Sequence, residues 1–149
     1  MKNIKIAVFG ILASVLTLAG CTQAEAVDFS LGYQNNEVIN QEGVVASVGT
    51  EYKNLRLGVN TFSTDERLET YGAYVGIPIY IQGTDLTVTP QAQVDHYREL
   101  DEVVGGLGLG LEYSFTDTVR LTGVAMVHEG FDDSSIDGES YTVGLTKTF

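Results

Sequence analysis

The sequence predicts an all-β protein, an eight-stranded antiparallel up-and-down transmembrane β-barrel, and three observations support this prediction. Eight stretches alternate between apolar and polar residues with a period close to two, the signal of a strand whose two faces meet different surroundings. The connections alternate between tight turns and longer acidic stretches, and the chain ends on the bare aromatic Phe149. The predicted strands are residues 27–34, 43–52, 55–63, 70–81, 86–97, 103–115, 119–128 and 140–149.

The lengths of the strands and of their connections suit a membrane barrel. Most of the strands have about nine to eleven residues, which is what a tilted strand needs to cross a bilayer. Three connections are tight turns, at residues 53–54, 83–85 and 116–118, whereas NNEVINQE, TDERLE, RELDE and EGFDDSSIDGE are mostly longer and acidic. Short turns on one rim and longer loops on the other are typical of a barrel with both termini in the periplasm.

The two faces of the predicted strands differ in side-chain size as well as in polarity. In the sixth strand one face carries Leu107, Leu109, Leu111, Tyr113 and Phe115, and the other carries Gly106, Gly108, Gly110, Glu112 and Ser114. Small residues suit a narrow lumen, and aromatic residues near strand ends suit the two membrane interfaces. We therefore expect the apolar face to point outward. The alternative, with the apolar face inward, is a lipid-anchored lipocalin-like carrier of a small apolar ligand.

Two prolines disturb the predicted strand pattern. Pro78 and Pro90 fall inside the fourth and fifth strands, where a proline cannot donate a ladder hydrogen bond. Because the two positions lie near each other above the 83–85 turn, we expect a local β-bulge there.

The closing strand resembles that of bacterial outer-membrane barrels. Tyr141, Val143, Leu145 and Phe149 share one face of YTVGLTKTF, and in such barrels this pattern is the terminal assembly signal. Residues 27–149 resemble small eight-stranded barrels of the OmpA/OmpX architecture, and EYKNLRLGV and TVTPQAQV resemble YfaZ-like porins. The resemblance implies a monomeric outer-membrane protein of a Gram-negative cell envelope without an established catalytic role. Its expected partners are outer-membrane lipids, lipopolysaccharide and the barrel-assembly machinery.

The first 26 residues read as a secretory leader. Lys2 and Lys5 precede an apolar run that ends in small residues, a run too short for a spanning helix. Leu18-Ala19-Gly20-Cys21 resembles a lipobox, which would remove a signal peptide of residues 1–20 and acylate Cys21. Residues 21–26 would then be a short tether to the barrel. The alternative is cleavage after residue 26, which would discard Cys21.

Five charged residues are expected inside the barrel near the rim that carries the chain ends. Glu51 and Arg56 fall opposite each other across the 53–54 turn, Glu112 and Arg120 lie diagonally across another tight hairpin, and Asp28 enters at the same rim. An eight-stranded barrel is filled by its own side chains, and a buried charge needs a partner. We therefore expect a structural ionic plug; a gated proton or ion path is the alternative.

An enzymatic function is not expected from the remaining polar residues. His128 and Glu129 lie near Ser134 and Ser135 in the sequence. Some outer-membrane lipid A deacylases carry a His-x-Ser motif, but here the residue two positions after His128 is Gly130. We expect a rim histidine, and His96 is expected on the lipid side near the outer rim. A lipid-modifying enzyme is the remaining alternative.

The charge distribution excludes one class of partner and leaves another open. The chain has 20 Asp and Glu against 8 Lys and Arg, a formal net charge of −12, which argues against binding to nucleic acid. Of the acidic residues, 13 fall in the four long connections. The run DDSSIDGE lacks the spacing of an EF-hand loop, so no metal site or cofactor is expected. Solvated loops are the first interpretation, and divalent-cation bridging to lipopolysaccharide phosphates is the second.

Overall fold

The computed structural model describes residues 26–131 and 136–149, and these form one closed antiparallel sheet. The strands are β1 (Val27–Asn36), β2 (Gln41–Tyr52), β3 (Leu55–Ser63), β4 (Leu68–Gly76), β5 (Ile79–Tyr80), β6 (Leu86–Tyr97), β7 (Glu102–Ser114), β8 (Val119–Gly130) and β9 (Asp137–Thr148). Each pairs with its neighbour along the chain, except that β4 and β5 both pair with β6, while β1 pairs with β9 and closes the barrel. Because β4 and β5 continue one another and occupy one strand position, the barrel is eight-stranded, as predicted.

The division between β4 and β5 corrects the expected bulge. Gly76 pairs with Gln91 and Ile79 pairs with Val88, so the register is the same on both sides of Pro78 and no extra residue is inserted. Between them the Ile77 amide still donates to the Pro90 carbonyl at 3.0 Å. The prolines remove donors without shifting the strands. A register shift occurs instead between Phe62 and Ser63, where β3 meets β4.

The connections opposite the chain ends are shorter than the sequence suggested. β1, β2, β4, β7, β8 and β9 extend beyond their predicted ends there, which leaves connections of residues 37–40, 64–67, 98–101 and 131–136. We call this end of the barrel the loop rim. We call the opposite end the terminal rim; it carries Val27, Phe149 and the turns at 53–54, 81–85 and 115–118. The predicted contrast in loop length is therefore wrong for most connections. The contrast in charge remains, since acidic residues are concentrated at the loop rim.

The apolar side of the strands faces outward, as predicted. Leu107, Leu109 and Leu111 on β7 are each more than half exposed, whereas Glu112 on the opposite face of β7 is buried. Aromatic side chains exposed on the outside include Tyr52, Tyr71, Tyr113, Phe115 and Phe149. A lipocalin-like carrier requires the reverse arrangement, so that alternative is wrong. Among residues 26–131 and 136–149 no helix is long and apolar enough to cross a membrane.

Candidate functional site: the barrel lumen

All five charged residues expected inside the barrel meet in one chain of ion pairs near the terminal rim. Arg120 contacts Asp28 at 2.6 Å and Glu112 at 3.0 Å, Arg56 contacts the other oxygen of Glu112, and Glu51 lies 3.6 Å from Arg56. We call this series, in the order Asp28–Arg120–Glu112–Arg56–Glu51, the lumen ion chain. It runs through β1, β8, β7, β3 and β2 and so crosses the interior of the barrel.

The strand register explains why these side chains meet. Glu51 pairs directly with Arg56 across the two-residue turn, in which Lys53 and Asn54 both have positive φ. Arg120 pairs with Ser114, two residues from Glu112, so their contact is diagonal. The contact between Arg56 and Glu112 joins two strands that do not pair with each other. It follows from closure of the barrel.

Burial differs along the lumen ion chain. The side chains of Arg56 and Glu112 are 7% and 8% exposed, whereas that of Glu51 is 32% exposed. Glu51 also accepts a hydrogen bond of 2.7 Å from the Tyr80 hydroxyl at the open end of the barrel. Glu112, which contacts both arginines, is therefore the central acid of the lumen ion chain. Glu51 is the acid at the solvated end of the lumen ion chain.

Four members of the lumen ion chain, all except Glu51, line a small cavity of about 100 Å³, whose other lining residues include Asn60, Tyr74, Gln91 and Gln93. This volume is large enough for several water molecules. The Tyr74 ring fills the lumen beside it and lies over Gly49 and Gly58, where a Cβ atom would come within 2.5 Å or less of the ring or its hydroxyl. The glycines on these strands thus make room for an aromatic side chain.

Asp95 is a buried acid whose setting the sequence did not predict. It is 2% exposed, and it accepts hydrogen bonds from Asn60 at 3.2 Å and from Gln93 at 2.6 Å. In the part of the chain that the structure describes, no arginine or lysine forms an ion pair with Asp95. The alternation of β6 predicts the inward direction of Asp95 and of Gln93, two residues away on the same strand. The contact with Asn60 depends on the register of β3, β4 and β6, because Asn60 and Asp95 both pair with Gly72.

A second set of side chains is buried in the lumen near the loop rim. Phe62, Tyr97 and Val104 are almost completely buried there, and Asn36 donates to the Tyr97 hydroxyl at 3.0 Å. Glu69, at the register shift beside Phe62, is turned inward and is 2% exposed. A bulge at a barrel rim often redirects a side chain in this way.

Arg67 links Glu69 to the neighbouring loop. Its guanidinium contacts Glu69 at 2.8 Å and Glu99 at 3.1 Å, and Gln41 donates to Glu99 at 3.4 Å. The hydrogen bond to Glu69 raises the pKa of Arg67 above its ordinary value. These contacts tie the 64–67 and 98–101 turns together over the mouth of the barrel.

His128, expected to be a rim histidine, is buried inside the barrel beside Tyr97. It is 4% exposed, its Nε2 lies 2.8 Å from the Ser140 hydroxyl, and its ring packs edge-on against Tyr97. Its Nδ1 has no hydrogen-bond partner among the described residues, so no acid orients the ring as in a catalytic triad. Ser134 and Ser135 lie outside the described residues. His96 stacks on Tyr71 at 5.1 Å on the outer surface.

The remaining predicted residues are placed as follows. The residues of the predicted assembly signal are all exposed on the outside: Tyr141, Val143, Leu145 and Phe149. At the terminal rim the amide of Val27 donates to the carbonyl of Phe149, and the amide of Phe149 donates to the carbonyl of Val27. Cys21 and the predicted signal peptide lie outside the described residues. Among residues 26–131 and 136–149, no group of three His, Cys, Asp or Glu side chains is placed to hold a metal ion.

Comparison with solved structures identifies the fold. The N-terminal β-barrel domain of Pseudomonas aeruginosa OprF superposes with a TM-score of 0.65 at 14% identity, over 85% of this chain and 98% of that one. A de novo designed transmembrane β-barrel gives 0.59 at 15% identity, over 86% of this chain and 98% of the design. The fold is that of small transmembrane β-barrels.

A third structure was determined in a bilayer. The Yersinia pestis outer membrane protein Ail, in a phospholipid bilayer nanodisc, gives a TM-score of 0.55 at 11% identity, over 83% of this chain and 99% of Ail. The sequence itself matches no protein-family model and no curated protein.

Proposed function

We propose that this chain is a monomeric integral outer-membrane barrel with a structural or surface-interaction role, whose lumen does not conduct solutes. The observation that carries the proposal is an apolar outer surface around a lumen that holds buried side chains near both of its ends. The lumen ion chain lies near the terminal rim, and Phe62 and Tyr97 are buried near the loop rim. Both features support a lumen without an open path. An interior just wide enough for its own side chains is expected of eight strands.

Conductance of the purified protein in planar bilayers tests the closed lumen. The wild type should show no discrete conductance steps, and neither should the double variant Arg56→Ala, Glu112→Ala, because Phe62 and Tyr97 still obstruct the loop rim. Adding Phe62→Ala and Tyr97→Ala to that variant should produce discrete steps. Leu109→Ala, on the outer surface, is the matched control and should remain silent. Conductance of the wild type would overturn the plug and favour a gated ion path.

The proposed orientation puts both chain ends in the periplasm and the acidic loop rim outside the cell. The acidic side chains of the turns at 64–67 and 98–101 then face the medium and the phosphates of lipopolysaccharide, to which divalent cations would bridge them. In a Cys21→Ser background, cysteines introduced at Asp65 and Asp117 test this orientation. A membrane-impermeant maleimide should label only position 65 in intact cells; labelling only at 117 reverses the orientation.

The proposed role is not catalytic. The burial of Ser140 and His128, 2% and 4% exposed, supports this because it limits the access of a lipid ester to the Ser140 hydroxyl. Purified protein in mixed micelles should release no fatty acid from lipid A or phospholipid. Turnover that disappears in Ser140→Ala, with the fold retained, would contradict this and favour a lipid-modifying enzyme.

A further inference from the structure

The outer wall of the barrel carries a groove near the loop rim, on β6, β7 and β8. Its apolar walls are formed by Ala92, Val94, Leu107, Val127 and Phe131, and its floor by Gly105. Its volume is about 800 Å³, within the range of roughly 300–1,000 Å³ for pockets that hold small ligands. We call it the wall groove.

Small residues create the hollow. Gly105 pairs with Val94 of β6 on one side and with Glu129 of β8 on the other. The row of paired residues across these three strands therefore has no side chain at its centre. Ala92 stands in the adjoining row opposite Leu107. The Phe131 ring lies over the end of the groove, where a Cβ on Gly105 would come within 2.9 Å of it. The walls belong to the outward apolar belt that bilayer hydrocarbon covers, so the groove suits an acyl chain.

Two acids stand at one side of the wall groove. Glu129 and Asp137 pair directly in the β8–β9 register, and both contribute to the groove lining. Like charges directly opposite each other on one face of a sheet are destabilising. No salt bridge reaches either acid from the described part of the chain. A cation held between them would relieve this repulsion, whereas a phosphate group with no cation would add to it.

We propose that the wall groove binds one acyl chain of a membrane lipid whose headgroup carries a protonated primary amine, with the amine between Glu129 and Asp137. The hydrocarbon walls select a lipid, and the paired carboxylates select the amine. This inference rests on insertion of the barrel in a bilayer, as proposed above.

Native mass spectrometry of the barrel released from micelles tests the proposal with phosphatidylethanolamine and phosphatidylglycerol of identical acyl chains. The ethanolamine lipid should be retained about fivefold more than the glycerol lipid, a ratio that corresponds to one weak ion pair. Glu129→Gln combined with Asp137→Asn should abolish this preference and leave some retention. Gly105→Leu should remove retention of both lipids, and Ala92→Leu is a second variant that fills the groove if the first does not fold.

The matched control is Gly123→Leu. Gly123 also faces outward on β8, but a Cβ there has no atom closer than 3.9 Å, so the change adds bulk without touching the wall groove. Equal loss of lipid in this variant would show only a general lipid annulus and overturn the proposal, as would equal retention of the two lipids. Retention of phosphatidylglycerol that requires Mg²⁺ would also overturn it, in favour of a bridged phosphate. Wild-type protein without heat-modifiable migration would instead refute the barrel's insertion.

Discussion

Removing Glu112 should destabilise the barrel more than removing any other acid of the lumen ion chain. Glu112 contacts both Arg56 and Arg120, and its side chain is 8% exposed. In Glu112→Ala, Arg56 would keep only Glu51 at 3.6 Å, and Arg120 would keep Asp28 at 2.6 Å. Breaking a buried ion pair typically costs about 3–5 kcal/mol. Because each arginine keeps one partner, we expect the lower end, about 3 kcal/mol.

Glu51→Ala is the comparison within the same chain of ion pairs. Glu51 is one-third exposed, and Arg56 retains its closer partner Glu112. The expected cost is that of a solvated pair, about 1 kcal/mol or less. Urea titration of protein refolded into lipid gives the free energy of unfolding of each variant. The two values can be compared when the free energy of unfolding falls with urea concentration at the same slope in both variants.

The double variant Glu112→Leu, Arg56→Met tests whether the cost comes from unpaired charge. An apolar pair of similar volume should restore much of the stability that Glu112→Ala loses. A cost for Glu51→Ala equal to or above that of Glu112→Ala would refute the central position of Glu112. So would a double variant no more stable than the single one.

Four further outcomes are expected. Leu109→Arg, on the outward face of β7, should cost about 2–4 kcal/mol in the same titration, the range for arginine near the bilayer midplane; a silent change would contradict lipid exposure. Gly58→Ala should cost about 1–3 kcal/mol because its methyl group collides with Tyr74, and Gly123→Ala should be near neutral. Arg67→Ala should cost about 1–3 kcal/mol by leaving the Glu69 carboxylate buried without a cation; an unchanged midpoint would show that the loop contacts are solvated. Intact mass should show mature protein that begins at an acylated Cys21; an unmodified start at Val27 would exclude the lipobox.

The features set by local alternation were predictable from the sequence. Period two fixes which residues share a face, so the outward leucines of β7 and the inward Glu112 followed directly. A two-residue turn fixes the register beyond it, which is why the pairing of Glu51 with Arg56 could be counted from residues 53–54.

Features that depend on closure of the sheet were not predictable. Nothing in the spacing of Arg56 and Glu112 places them together, because they come from strands that meet only across the lumen.

The inward position of Glu69 depends on a register shift that alternation does not signal. The sequence overestimates loop length because acidic residues such as Glu42 and Glu102 interrupt the apolar pattern, whereas in the structure they belong to strands that extend past the apolar belt.

The contact of Arg56 with Glu112 also has a kinetic consequence. It forms only when the curled sheet brings distant strands together, as does the hydrogen bond between Asp28 and Thr148, residues 120 positions apart. Pairing at such sequence separation is slow, because the entropy of loop closure is lost before the contacts form. The ion pair should therefore be absent from a transition state in which the sheet is still open. Glu112→Ala should then accelerate unfolding and leave the folding rate nearly unchanged, which stopped-flow or manual-mixing kinetics in lipid would measure.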